Sequence, residues 1–589
     1  MLEAVDPRFP TVHHDVDLCV VGGGMAGVCA ALAAARRGAR VAIMQDRPVF
    51  GGNASSECRV HICGADRHNH VPNMRETGIL EELRLENLRR NPGRSFSVWD
   101  TILHERTAFH PSVTPLLNCS CLDADMDGSR IRSVTGWQLT TQTHHVVSAK
   151  VFADCSGDGI LAPLTGADWR MGREARSEYG ESIAPEEADD RTMGMTCLFQ
   201  ARDTGVPQPY EPPPWAEVFE SCEDLPYGRG RHRWWRMGYW WVELGGEHHS
   251  IHDTERLRDE LLAIVFGLWD HIKNRCPEGG AETWQLEWVQ FLPAKRESRR
   301  FVGEHVLCQG DIEAGGPFDD VVAYGGWTMD DHHPAGFRSV RVGAPATVFH
   351  QAPSPYGIPY RTLYSRNIDN LMFAGRCASC THAAMSSTRV MGTASSMGQA
   401  VGTAAALAVE RGVAPRGVGD HMAELQQQLL ADDAYLPGIA RQLPELTRSA
   451  TLSATRGDPE PVRDGVGRPV GGELHGWEYS IGDSLELTFD GPRELREIQL
   501  VLDSDLAANI AMSYHQPDSQ LTAPPSRLPR RFRLEVLRDG AWQLLHEELD
   551  NHQRLLRYPV RETVEGIRFV PVALWGQAPA STLYEMSVG

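Results

Sequence analysis

The chain has 589 residues, too many for one ordinary core, and its 41% hydrophobic and 23% charged residues describe a globular protein of two or three domains. A formal charge of -21 speaks against nucleic acid and anionic membrane as main partners. No run of about 18 apolar residues suggests a membrane span, and no basic segment leads into an apolar one at the start. The 13 irregularly spaced cysteines point to reduced thiols in a cytoplasmic protein.

The stretch "DLCVVGGGMAGVCAALAAARRGARVAIMQDR" reads as strand Leu18–Val21, a glycine turn, helix Ala26–Arg37, a Gly38 cap and strand Val41–Met44. Gly22, Gly24 and Gly27 form G-x-G-x-x-G where the helix begins. The first allows a tight turn, the second lets backbone approach a pyrophosphate, and the third lets helix and strand pack. Gln45, with Asp46 beside it, stands where an acidic residue usually meets a ribose. Next comes "RPVFGGNASSE", whose Gly51, Gly52, Asn53 and Ser55 offer donors to a second portion of a long ligand.

Further along, Asp127-Gly128 marks a hairpin turn, and "VVSAKVFADCSGDG" is a strand ending at Asp154 before a turn through Gly157 and Gly159. The basic and aromatic "RHRWWRMGYWWVELGG" (231–246) predicts a strand pair suited to sugars or rings, or a Trp-rich core. Residues 253–274 predict a helix capped by Asp253, with Leu257, Leu261, Ile264, Leu268 and Ile272 on its core face. "NIDNLMFAGR" is a buried strand running into Gly375. The helix that follows ends at Arg411 with Gly412 as a left-handed cap. Inside it sit Gly398 and Gly402, each costing about 1 kcal/mol relative to alanine, which predicts close packing on the first dinucleotide helix. After about residue 445, short alternating runs with Asp-Gly turns predict an all-β sandwich. Its order of strands resembles a galactose-binding or discoidin-type jelly roll, a module that either binds carbohydrate or only packs.

The segments "QDRPV-GGNASSE", "VFADCSGDG", "MGREARSEYGE" (171–181), "FLPAKRESRR" (291–300), "GGWTMDDHHPAG" (325–336) and the run 358–402 together resemble a family of FAD-dependent oxidoreductases of unassigned substrate. The resemblance covers most of residues 15–415. It implies an α/β chain: a Rossmann-like FAD-binding domain of the glutathione-reductase type (1–165 and 351–445), an inserted α+β substrate domain (166–350), and then the all-β sandwich (446–589). The FAD-facing positions it implies are Gly22, Gly24, Met25, Ala26, Gly27, Gln45, Asp46, Arg47, Gly51, Gly52, Asn53, Ala54 and Ser55. Cys121 beside the adenine, Cys155, Ser156, Gly157, Gly375 and Arg376 complete the cradle. Gly392 and Thr393, at a helix N-terminus carrying about half a positive charge, would donate to the flavin O2 and N1 region. No second strand-framed G-x-G-x-x-G weighs for a bound NAD(P)H, so the electron acceptor is left open among oxygen, a quinone, a carrier protein and a second substrate.

Dehydrogenation needs a base beside the flavin N5, and histidine has the suitable pKa. His382 is the first candidate and the pair His332-His333 the second, with Asp330 and Asp331 as orienting carboxylates. Arg389 would hold a substrate oxygen or a flavin phosphate. Cys377 and Cys380 read as bystanders, and His61 and Cys58 as candidates for a covalent flavin link. Neither the His-His pairs nor "CSC" has zinc-ligand spacing, so no metal is expected. The reaction expected is dehydrogenation of a hydroxylated small molecule (a sugar, cyclitol or glycoside) by hydride transfer to flavin N5. Oxygen-dependent hydroxylation or halogenation of an aromatic compound, and a carbohydrate-binding scaffold with a vestigial flavin site, are the alternatives.

Overall fold

The computed structural model describes residues 8–228, 232, 235–513 and 519–589. Strand β1 (Thr11–Val21) is longer than its apolar end alone indicates. It pairs in parallel with a later strand from Thr11↔His144 to Val21↔Asp154, so its polar half is held by that partner. Helix α1 (Met25–Arg36) follows, and Gly38, at φ +85°, turns the chain into β2 (Val41–Met44). Strands β3 (Val113–Leu116), β4 (Cys119–Asp127), β5 (Arg130–Gln138) and β6 (Thr143–Asp154) complete the first segment. Their order is β3-β2-β1-β6-β5-β4.

The middle of the chain builds small antiparallel pairings around helix α2 (Thr254–Asp270). Asp253 stands at the start of α2, but its carboxylate accepts from the His249 amide at 3.0 Å and caps no helix amide. The helix stops short of residue 274 and closes in a π-turn, His271–Arg275. Among the described residues of 231–246, the expected strand pair reduces to Glu243–Leu244, which pairs with Met195–Thr196. Residues 229–231, 233 and 234 lie outside the described residues. The aromatic side chains of this stretch serve as wall and core: Tyr239 and Trp241 are buried in a cluster with Phe199, Trp269 and Phe337.

Strand β7 (Leu371–Phe373) returns to the large sheet and pairs in parallel with the end of β6, Leu371↔Phe152 to Phe373↔Asp154. The other half of β6 pairs with β5. Where β6 changes partner, the C-terminal ends of β1, β2, β6 and β7 leave an opening, the usual ligand position of an open parallel sheet. Two helices follow, α3 (His382–Thr388) and α4 (Met391–Arg411), the latter ended by Gly412 at φ +66°. A Cβ on Gly398 would overlap the carbonyl oxygen of Ala26, and one on Gly402 that of Ala30. The two glycines therefore let α4 lie directly on the backbone of α1.

From residue 451 the chain forms a separate all-antiparallel sheet. Its strands are β8 (Thr451–Ala454), β9 (Trp477–Tyr479), β10 (Leu485–Leu502), β11 (Pro529–Arg538), β12 (Ala541–Glu548), β13 (Leu555–Leu574) and β14 (Ser581–Val588). The order is β9-β14-β10-β13-β11-β12, with β8 also on β10. Fully buried arginines join this sheet to the rest. Arg75 pairs with Glu81 at 2.7 Å and donates to the carbonyls of Ser504 and Asp505. Arg468 donates to Asn73 O, Arg75 O and Thr77 Oγ1, and Arg554 pairs with Asp433 at 2.9 Å. No described helix is long and apolar enough to cross a membrane.

Overpacking a tight contact costs about 1–3 kcal/mol, and at Gly398 the obstacle is backbone rather than a movable side chain. Gly398→Ala should therefore lower unfolding stability by about that amount in urea titration. An unchanged midpoint and slope would show that α4 does not lie on α1 as described.

Candidate cofactor and substrate cavity

One cavity of about 800 Å³ opens at the C-terminal ends of the parallel strands. Its first half is made of backbone. Gly22, at φ +105°, brings the end of β1 so close to β6 that a Cβ there would overlap the Cys155 carbonyl. Gly24 lines the cavity, and a Cβ on it would meet nothing closer than the Gly52 Cα at 3.9 Å. Any larger side chain at this position would grow into the cavity. Met25 and Ala26, at the start of α1, line the cavity too, and the first-turn amides of a helix have no partner within the helix. Asp46, Arg47, Gly51, Gly52, Asn53, Cys121, Cys155, Ser156, Gly157, Gly375 and Arg376 also line it. Arg376 is held in place by Asp158 at 2.6 Å, and Lys295 grips the other oxygen of that carboxylate at 2.7 Å. Burial alone would raise Asp158, but Arg376 and Lys295 outweigh it and keep the carboxyl well below the usual range.

Several expected positions serve the cradle indirectly. Gln45 lines the cavity, yet its Oε1 accepts from the Gly23 amide at 2.7 Å, so it braces the glycine turn instead of meeting a ribose. Asp46, exposed beside it, is the acidic residue that this end offers. Gly27 does not reach the cavity; a Cβ there would overlap the Gly22 carbonyl, so it is a packing glycine. Ala54 and Ser55 are buried behind the wall, where the Ser55 hydroxyl donates to Gly52 O at 2.7 Å. The start of α4 does face the cavity, through Val390, Met391 and Ala394. Gly392 and Thr393 do not. The Gly392 amide donates to Cys63 O at 2.8 Å, and a Cβ on Gly392 would lie 2.6 Å from the buried carboxyl of Glu76. Thr393 is fully buried.

The second half of the cavity is aromatic and charged. His61 meets Trp240 edge-on at 4.8 Å, His68 meets Trp327 at 5.4 Å, and the two imidazoles touch through their Nε2 atoms at 3.2 Å. Below them, His332 Nδ1 donates to Glu243 at 2.6 Å, and its Nε2 is 3.4 Å from Asp330. Arg389 lies 3.3 Å from Asp330, and Arg296 lies 3.3 Å from Glu243. Burial would raise Asp330, but His332, Arg389 and Arg296 together hold its pKa down to about 2. Two buried donors of the lining residues, Trp327 Nε1 and Arg389 Nε, have no hydrogen-bond partner among the described residues.

His382 lies outside the cavity and is not free to act as a base. Its Nδ1 donates to Glu297 at 2.8 Å and its Nε2 to Asp331 at 3.1 Å, while its amide donates to Glu174 at 2.9 Å. Burial alone would depress the imidazolium, but Glu297 and Asp331 prevail and hold its pKa up to about 10. A charged ring with both nitrogens committed has no lone pair for a substrate proton. His333 shapes a turn, its amide donating to Ala346 O and its Nδ1 accepting from Ala335 N. Cys58 is fully buried off the cavity, so only His61 of the two covalent candidates is in reach of a ligand. Cys377 and Cys380 are buried free thiols.

Glu243, Arg296, Lys295 and Trp240 were not singled out individually from sequence. Lys295 and Arg296 belong to the quoted "FLPAKRESRR", a motif whose buried charges were its available signal. The sequence shows no zinc-ligand spacing. Cys222, His232, His271 and Cys276 converge with their ligand atoms all within 4.8 Å of one another, a grouping that sequence spacing hides.

Residues 17–429 match the family model described as FAD dependent oxidoreductase, which is more than half of the chain, and the chain belongs to that family. Its cofactor is FAD. The backbone cradle fits such a ligand through the open face of Gly24, the starts of α1 and α4, and the Gly51-Gly52 loop. No curated protein matches the chain. Among solved structures, the chain is similar to the family 32 carbohydrate-binding module of Streptococcus pneumoniae EndoD. The identity is 15% over 24% of this chain and 97% of that one, with a TM-score of 0.19. The family 32 module of C. perfringens NanJ in complex with galactose is 13% identical over 25% and 97%, TM-score 0.18. Chitosan-binding module 1 from a chitosanase/glucanase of Paenibacillus sp. IK-5 is 11% identical over 24% and 97%, TM-score 0.18.

The raised pKa of His382 makes its part in stability depend on pH. The folded value of about 10 lies above the ordinary 6.5, so the contribution is whole below the ordinary value and is lost as pH rises through about 10. His382→Gln should be less stable than wild type near pH 6 and approach it near pH 10 in urea titration. A difference that does not change with pH would show that the ring is not held charged.

Proposed function

We propose that this FAD-dependent oxidoreductase dehydrogenates a hydroxylated small molecule of the sugar, cyclitol or glycoside class in the aromatic half of the cavity. Residues 1–165 and 351–445 then hold the cofactor, 166–350 supply the substrate wall, and 446–589 form a β-sandwich. The observation that carries the reading is the pairing of Trp240 and Trp327 with Asp330, Arg296 and Arg389 in one lobe. Flat aromatic faces cover the C–H surface of a polyhydroxylated ring, while carboxylate and guanidinium groups take its hydroxyls.

Bound FAD supplies the hydride acceptor that such an oxidation requires. The chain supplies the proton chemistry and the positioning. Glu243 accepts from His332 Nδ1 and so fixes that ring, which in its neutral form leaves Nε2 to take up a hydroxyl proton next to Asp330. Arg296 and Arg389 place positive charge where the substrate oxygen becomes negative. His61 and His68, packed against the two Trp rings, close the wall.

Purified protein should be yellow, and heat or acid should release a flavin that runs as FAD. Gly24→Val should abolish that colour because the side chain enters the cradle. An anaerobic screen of sugars, cyclitols and glycosides should find a compound that bleaches the flavin. His332→Ala should keep its FAD and slow bleaching by about 10²–10⁴-fold, the usual worth of a positioned base. If no member of the panel bleaches the flavin, the substrate class is wrong. If turnover instead needs oxygen and a separate reductase, the hydroxylation or halogenation alternative replaces it. Flavin retained on the denatured chain and lost in His61→Ala would identify a covalent link.

A further inference from the structure

Away from the cavity, four soft ligands from three short segments meet in the middle of the chain. Cys222 begins a single 3-10 turn, His232 comes from the segment that leads toward Trp240, and His271 and Cys276 flank the π-turn ending α2. The Cys276 amide closes on the His271 carbonyl at 2.6 Å, and this wider turn sets both side chains toward the same point. Cys222, His232 and His271 are buried and Cys276 is half-buried.

Four of the six separations lie near those of a tetrahedron, and the other two are within 4.8 Å. Zinc bonds of about 2.3 Å to sulfur and about 2.0–2.1 Å to nitrogen put S and N about 3.5 Å apart and two sulfurs about 3.8 Å apart. Here Cys222 Sγ is 3.6 Å from His232 Nε2 and 3.5 Å from His271 Nε2. The two sulfurs are 4.0 Å apart, and Cys276 Sγ is 3.1 Å from His232 Nε2. The tautomer of one ring also follows from its partner. His271 Nδ1 is 2.9 Å from the Phe219 carbonyl, which can only accept, so Nδ1 carries the proton and Nε2 presents its lone pair to the cluster.

We propose that Cys222, His232, His271 and Cys276 bind one structural zinc ion. Four protein ligands at tetrahedral spacing leave no open position, which marks a structural rather than a catalytic site. The ion ties Cys222 and His232 to the end of α2. Trp240 stands in the cavity wall, and Tyr239, next to it, donates its hydroxyl to His232 O at 3.1 Å. The zinc therefore supports the substrate wall without touching FAD.

Elemental analysis of the FAD-loaded protein from zinc-replete cells should find about one zinc per chain. X-ray absorption at the zinc edge should show two sulfur ligands at about 2.3 Å and two nitrogens at about 2.0–2.1 Å. Cys222→Ser and Cys276→Ser should each lose the zinc, and Cys308→Ser should keep it. Should the first two variants fail to fold, the absorption spectrum of the wild type still decides the question. Stripping the zinc should speed tryptic cleavage after Arg236 and Arg275 while FAD stays bound. Three results would overturn the proposal. They are a sulfur-free or one-sulfur shell, zinc that survives Cys276→Ser but is lost in Cys63→Ser, and a zinc-free chain with a Cys222–Cys276 disulfide in its intact mass.

Discussion

The contact between α1 and α4 is the constraint on which the rest of the molecule is arranged. Two carbonyls of α1, at Ala26 and Ala30, lie where Cβ atoms of α4 would otherwise be. Such an approach requires glycine on one helix and alanine-rich surface on the other, and it offsets a helix-propensity cost of about 1 kcal/mol at each glycine. In return, two helix N-termini arrive at one cavity from neighbouring positions. A pair of helices at ordinary interaxial spacing of about 8–10 Å would splay these ends apart.

Around that pair, charge is sorted into two buried networks with different jobs. One lies off the cavity. Arg300 pairs with Glu297 and with Glu174 at 2.8 Å, Glu174 and Glu297 both take bonds from His382, and Asp331 holds the far side of the ring. Four separate family segments thus meet at one imidazolium, which fixes the middle of the chain onto the start of α3. The other network, Glu243, His332, Asp330, Arg296 and Arg389, opens onto the cavity. Both histidines have carboxylate partners. What separates them is that His382 has a close one on each nitrogen, while His332 has a close one only on Nδ1.

The parts of this design legible in the sequence were those written locally. The strand–glycine–helix unit, the hairpin at Asp127-Gly128, and the glycines of α4 each state their geometry within a few residues. The alternation of the last part announced strands in the same way. Functions that depend on a distant partner were not legible. Gln45 looked like a ribose ligand because nothing nearby shows that the Gly23 amide claims its oxygen. His382 looked like a base because Glu297 and Asp331 come from elsewhere in the chain. Gly392 was placed at the flavin when its amide serves Cys63. The cluster of Cys222, His232, His271 and Cys276 has no recognisable spacing because a loop and the end of a helix, not one compact motif, supply it.

The buried arginines under the C-terminal sheet bear on the order of events while the chain is being made. Arg75 emerges 429 and 430 residues ahead of its carbonyl partners at Ser504 and Asp505. Thr77 and Asp433 wait in the same way for Arg468 and Arg554. At roughly 5–20 residues per second, this leaves the early segment incomplete for tens of seconds, with a guanidinium whose burial is not yet finished. The nascent segment around Arg75 must remain open or shielded through that interval. Residues translated more than 400 positions later then act as the closing step for the region around Arg75.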